Sequence, residues 1–136
     1  MSSVQSIAVS GMLAATQRLQ VSARNVANMR SDGALPDAQG NFRPDAPRPY
    51  TPLRVDQVDV AGGGTRAIVS DVSPGYVATY DPSVPYANQD GMVAAPNVDL
   101  ADEIVQQLIA SYTYAANARV VTSYNQMVKS LFDIGA

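Results

Sequence analysis

The 136-residue chain contains no cysteine, no histidine and no tryptophan. Without cysteine there is no disulfide framework and no thiolate chemistry. Without histidine the commonest general base and metal ligand is missing. Charged residues make up only 15% of the chain and the net charge is -3. A nucleic-acid partner would call for a basic face, so none is expected. No apolar run approaches the roughly 18 residues of a membrane-spanning helix, so membrane insertion is not expected either. The N-terminal stretch MSSVQSIAVSGMLAATQRLQ has no basic segment ahead of its apolar residues. It makes a poor cleavable signal peptide.

What the chain does have is small apolar residues. Hydrophobic content is 46%, but aromatics supply only 7%, and many of the rest are alanine and valine. Small side chains bury little area each, at roughly 25 cal/mol per Å². A core built this way is weak on its own. Part of the apolar surface is therefore expected to be covered by other subunits.

Two terminal segments read as helices. Residues 4–28 hold no proline and one glycine, Gly11. Ala8, Met12, Ala15, Leu19, Ser22, Val26 and Met29 step by four and three, as a heptad seam does. Ser31, Asp32 and Gly33 supply the stop. From 97 onward neither proline nor glycine occurs until Gly135. A second helix is expected from Asn97 or Asp99, either of which can cap it, to about Phe132. Asp99, Asp102 and Glu103 put negative charge in its first turn, where the helix dipole favours it. Its apolar residues cover more than one stripe, so it must be buried on several sides.

The middle is irregular. Prolines and glycines between Ser31 and Tyr50 leave no room for a helix. Thr51–Val60 and Thr65–Val72 read as a β-hairpin on a turn that includes Gly62, Gly63 and Gly64, a turn expected to tolerate substitution. Tyr76–Tyr80 reads as a third short strand. Tyr80–Pro96 combines turn residues with the apolar anchors Tyr80, Tyr86, Met92 and Val93. It is expected to be an ordered strap that lies along the outside of a helix or fills the groove between adjacent subunits. The fold class is thus mainly α with a small β part. The N- and C-terminal helices (1–30 and 97–136) pack as a coiled-coil-like pair, and 31–96 forms an extended, hairpin-containing middle.

No catalytic, cofactor-binding or metal-ligating residue is assigned. Gly62–Gly64 is not followed by the Lys-Ser or Lys-Thr of a phosphate-binding loop and reads as a hairpin turn. Asp99, Asp102 and Glu103 could form a metal or acid–base cluster, but a helix start makes capping the better use of them. Asn25, Asn28 and Asn117 lie among alanines and valines, where buried amides would fix the register of packed helices. Arg24 reads equally well as part of a solvated face.

The terminal stretches resemble a known family. SGMLAATQRLQVSARNVAN, from Ser10 to Asn28, resembles the N-terminal signature of flagellar basal-body rod and hook proteins. The match runs through Ser10, Gly11, Met12, Arg18, Leu19, Ala23, Asn25, Val26, Ala27 and Asn28. NVDLADEIVQQLIASYTYAANARVV resembles the corresponding C-terminal signature, through Asn97, Val98, Asp99, Glu103, Tyr114, Asn117 and Val121. The short chain resembles the proximal rod members, as does YDPSVPYANQDGMVAAPNVD ahead of the last helix. Departures fall at Met29–Gly33 and in the proline-rich stretch Pro44–Pro52.

The resemblance implies a non-enzymatic subunit of the rod in the periplasm, without cofactors. It implies export by the flagellar type III apparatus without signal cleavage. It further implies helical polymerisation with copies of itself and other rod proteins around a central channel. Leu108 and Val120 then join the motif residues as expected assembly contacts. The competing expectation is a soluble helical adaptor or chaperone-like binding module, which would also expose apolar helices.

Overall fold

The computed structural model describes residues 4–134. It contains two long helices, α1 (Val4–Ala27) and α2 (Leu100–Ile134), and four strands between them. The strands are β1 (Leu53–Asp59), β2 (Thr65–Asp71), β3 (Tyr76–Tyr80) and β4 (Met92–Pro96). They form two separate antiparallel pairs, β1 with β2 and β3 with β4. At 1.5 Å per residue the helices are about 36 and 52 Å long. They lie antiparallel, since Asn25 meets Glu103 near one end of the pair and Gln5 meets Asn125 towards the other.

Local chemistry sets the start of α2. The carboxylate of Asp99 accepts from the backbone N–H of Ala101 at 2.8 Å and of Asp102 at 3.3 Å. Two of the otherwise unpaired donors of the first turn are satisfied this way. Asn97, the other candidate cap, is engaged elsewhere: its side chain donates to the carbonyl of Pro74 at 2.9 Å.

The β1–β2 hairpin runs in register from Leu53 opposite Asp71 to Asp59 opposite Thr65. A two-stranded sheet is marginal alone in water. This one packs on α1 through both strands. Gly62, Gly63 and Gly64 all have positive φ, at 93, 103 and 99°. The tip they form is not a free turn. A β-carbon on Gly64 would stand 2.6 Å from Ser10 Oγ, and Ser10 Oγ accepts the N–H of Thr65 at 3.1 Å. The expected tolerance therefore does not extend to Gly64, where the turn sits against the first helix.

The strap expected over Tyr80–Pro96 takes another form. Met92–Pro96 is a strand that pairs with β3, Tyr80 opposite Met92 and Tyr76 opposite Pro96. Neither strand packs on a helix. β4 instead binds the loop that follows α1. Gly33 and Ala94 exchange backbone hydrogen bonds at 2.9 and 2.8 Å, and Ala34, Val93 and Ala94 are buried there. Phe42 meets Tyr76 edge to face, with ring centroids 6.2 Å apart. Arg43 donates to the carbonyl of Tyr86 at 2.9 Å. The loop between β3 and β4 is held from within. Asn88 Oδ1 accepts the N–H of Asp90 and of Met92, and Asp81 accepts both the N–H and the hydroxyl of Ser83.

The seam between the helices differs from the expected one. The buried α1 residues are Ala8, Gly11, Ala14, Ala15, Val21, Ser22 and Asn25. Ala8, Ala15 and Ser22 were on the expected stripe, but Met12, Leu19 and Val26 stand to one side of it and Met29 lies past the helix end. In α2 only Ala110 is fully buried. Large side chains would hold the axes apart. Small ones let the helices close, and the large ones turn outward. Ile104, Val105, Leu108, Ile109, Tyr112, Val120, Met127 and Leu131 are all exposed on α2.

Candidate functional site

Five of the expected site residues, Gly11, Arg18, Asn25, Glu103 and Asn117, meet at the helix seam. At its centre is Asn25, with 1% of its surface exposed. Its Nδ2 donates to the carbonyl of Leu53 at 2.7 Å and to Glu103 Oε1 at 2.6 Å. Its Oδ1 accepts from the Tyr50 hydroxyl at 2.9 Å and the Leu53 N–H at 3.0 Å. An amide has two donors and two lone pairs, and all four are used here. The knot joins α1, the start of β1 and the first turns of α2. Ser22 adds a bond to the carbonyl of Glu103 at 3.0 Å. Burial pushes the Tyr50 phenol above its ordinary pKa; Arg24 works against this and Glu103 adds to it. The Arg24 guanidinium stands 5.9 Å from the Tyr50 ring centre, so Arg24 covers the knot from its solvent side.

Further along the seam, Arg18 donates to Gln106 Oε1. Gly11 then brings the backbones together, since a β-carbon there would stand 2.7 Å from Asn117 Nδ2 and Oδ1. Asn117 donates to the carbonyl of Thr113 at 2.8 Å in its own helix. Gln5 closes the far end with a 2.9 Å bond to Asn125 Oδ1. Among the described residues no buried side-chain nitrogen or oxygen lacks a partner.

The other candidates separate into groups. Ser10 holds the hairpin tip, and Met12 is half-buried on α1. Asn97 and Asp99 shape the entry to α2. Asn28 does not bridge the helices: its side chain donates to the carbonyl of Arg24 at 2.9 Å and accepts from Ser31 at 3.3 Å. It ends α1 rather than fixing its register, because it sits one residue past the last helical position. Leu19, Leu108, Tyr114 and Val120 all face outward. Leu19 and Tyr114 border a shallow apolar groove of about 260 Å³, floored by Ala15, Ala110 and Ser111.

Sequence reasoning missed Tyr50, Leu53, Gln106 and the Gln5–Asn125 pair. Tyr50 alone left a signal, as an aromatic anchor at the end of a proline-rich stretch. A polar groove of about 570 Å³ between α1, β1 and the start of α2 is lined by Arg18, Arg54, Asp56, Asp102 and Glu103, among others. Arg54 and Asp56 pair across 3.3 Å at the surface. Among the described residues no group of three His, Cys, Asp or Glu is placed to hold a metal ion. No described helix is long and apolar enough to cross a membrane.

Known proteins share this pattern. Residues 89–134 match the family model described as flagellar basal body rod FlgEFG protein C-terminal. The flagellar basal-body rod protein FlgC of Agrobacterium fabrum is 31% identical, over 98% of this chain and 94% of its own length. That of Salmonella typhimurium is 34% identical, over 95% and 93%. That of Yersinia enterocolitica is 37% identical, over 92% and 91%. At such identity over nearly the whole of both chains, the chain belongs to the flagellar basal-body rod protein family, with FlgC proteins as its relatives.

Proposed function

We propose that the chain is a structural subunit of the proximal part of the flagellar rod. It polymerises helically with copies of itself and with other rod proteins, and α1 and α2 form the wall around a central channel. One observation carries this reading: the helix pair is closed by small and polar residues while its large apolar side chains face outward. Leu108 is 51% exposed, Val120 43% and Tyr112 74%. An isolated soluble chain gains nothing from that arrangement. A subunit whose outer faces are covered by neighbours gains about 25 cal/mol for each Å² they bury.

Export through the flagellar type III apparatus, without a cleaved signal, and a place in the periplasm follow from the same reading. The chain acts mechanically and carries out no reaction. A soluble helical adaptor is the weaker account, because relatives named as rod proteins match along almost the full length.

The test is electron microscopy of basal bodies purified from cells whose only copy carries an epitope in the exposed turn at Gln39–Gly40. Antibody label is expected on the rod. Label absent from basal bodies, with the tagged protein soluble in the cytosol, would contradict the reading.

A further inference from the structure

The two faces of the helix pair present a puzzle. The seam inside the chain is made of Ala8, Gly11, Ala15, Ser22 and Asn25 against Glu103, Ala110 and Asn117. The outer face of α2 carries Leu108, Ile109 and Tyr112. Apolar area decides how strongly two helices attract in water, not which faces meet. By area alone α1 would do as well against the outer face of α2, its own or another copy's. Something other than hydrophobic strength must choose the seam.

We propose that Asn25 and Glu103 are the specificity-determining pair of this helix pairing. They select the polar seam over the more apolar outer faces, and they do so only when the Tyr50–Leu53 segment is in place. Asn25 lies under that segment, which fixes the amide through three of its four hydrogen bonds. The fourth position, Nδ2 towards α2, is thereby aimed and shielded from water. Of the α2 side chains, Glu103 meets it, at 2.6 Å. An outer face laid on α1 would set an isoleucine, leucine or valine against a buried amide N–H and leave it unpaired, which is costly. Rejection of the wrong face thus rests on an unmet donor. The Ser22 bond to the Glu103 carbonyl sets the same level along the helix.

This goes beyond a register pin, because it makes face choice depend on a third segment of the chain. It concerns folding of the single chain and does not depend on the rod reading.

The chain has no cysteine, so paired cysteines report on pairing without interference. In the full chain Gln5→Cys with Asn125→Cys, probed by a short thiol-to-thiol cross-linker, reads the native seam far from the knot. Intrachain linkage should dominate. With Asn25→Leu or Glu103→Leu added, the ratio of intrachain to interchain product should fall about tenfold, the worth of one hydrogen bond to a charged group, while far-ultraviolet circular dichroism keeps its helical signal. Glu103→Gln keeps an acceptor oxygen without the charge and should recover part of the lost ratio, which neither leucine variant does. Tyr50→Phe should lower the ratio by a smaller factor. The proposal is overturned if both leucine variants keep the parent ratio, since close packing of small residues then suffices. It is equally overturned if both lose their helical signal, since the pair would then be needed to fold rather than to choose.

Discussion

Gly11 of α1 and Asn117 of α2 are in contact, with room for no side chain between them: a β-carbon on Gly11 would stand 2.7 Å from both polar atoms of the Asn117 amide. This contact sets how closely the helices approach. A glycine inside a helix normally costs about 1 kcal/mol relative to alanine. Here that cost is offset by what the missing side chain permits.

Gly11→Ala is therefore expected to destabilise the chain by about 1–2 kcal/mol in spite of better helix propensity. Adding Asn117→Ala should recover most of the loss, because the obstacle is gone. Denaturant unfolding of both single variants and the double variant gives the coupling. Simple additivity would mean that the two side chains do not share the space.

Gly33 is constrained differently. A β-carbon there would meet backbone atoms, Pro49 N at 2.3 Å and Arg48 C at 2.4 Å, which cannot swing aside as a side chain can. Gly33→Ala should break the exchange of hydrogen bonds with Ala94, costing about 3 kcal/mol or more. At Gly40 the φ is 85° and, among the described residues, nothing stands within 4 Å of where a β-carbon would be. Gly40→Ala should cost only about 1 kcal/mol of backbone strain. Hydrogen exchange at the Ala94 amide reads the difference, and equal protection in the two variants would contradict it.

The acidic range should show two carboxylates moving apart. Burial raises the pKa of Asp32 above 3.8, the Asp81 charge raises it further and Arg30 partly opposes this. The Ser83 hydroxyl and N–H hold Asp81 below 3.8. The signs follow from linkage. Asp32 binds its proton more tightly when folded, so its contribution is complete below its unfolded pKa and is lost as pH rises through its folded value. Asp81 contributes above its unfolded pKa, and that contribution is lost as pH falls through its folded value. Carboxyl-carbon NMR titration should place Asp32 above Asp81. With Asp81→Asn, the Asp32 midpoint should fall, because the Asp81 charge helps to raise it; an unmoved midpoint would remove Asp81 from the account.

Much of this fold could be read from the chain. Proline and glycine spacing marked both helices, and Gly62–Gly64 marked the hairpin. The Asp99 cap was one of two open choices, and the competition of Asn97 for Pro74 settled it. The seam was harder to read. Periodicity assigns the largest apolar residues to the interior, which holds for a chain that buries its core alone. Met12 and Leu19 were placed inside on that rule, and the helices closed on Gly11 and Asn25 instead. β4 was hidden by Pro96 and by the turn-rich loop that separates it from β3. The partners of Asn25 lie 25 to 78 residues away, and nothing local to Asn25 announces them.

The central claim is that the outward apolar residues serve assembly and not the fold of the single chain. Leu108→Asp tests it most directly, with Val120→Asp as its companion. Leu108 is about half exposed, so the purified variant should keep its helical signal and lose only about 0.5–1 kcal/mol, mostly from poorer helix propensity. A charge buried at every repeated interface costs far more. Cells carrying only the variant should therefore make no rods by electron microscopy and should not swim. Normal rods and swimming, or a variant that unfolds as an isolated chain, would contradict the account.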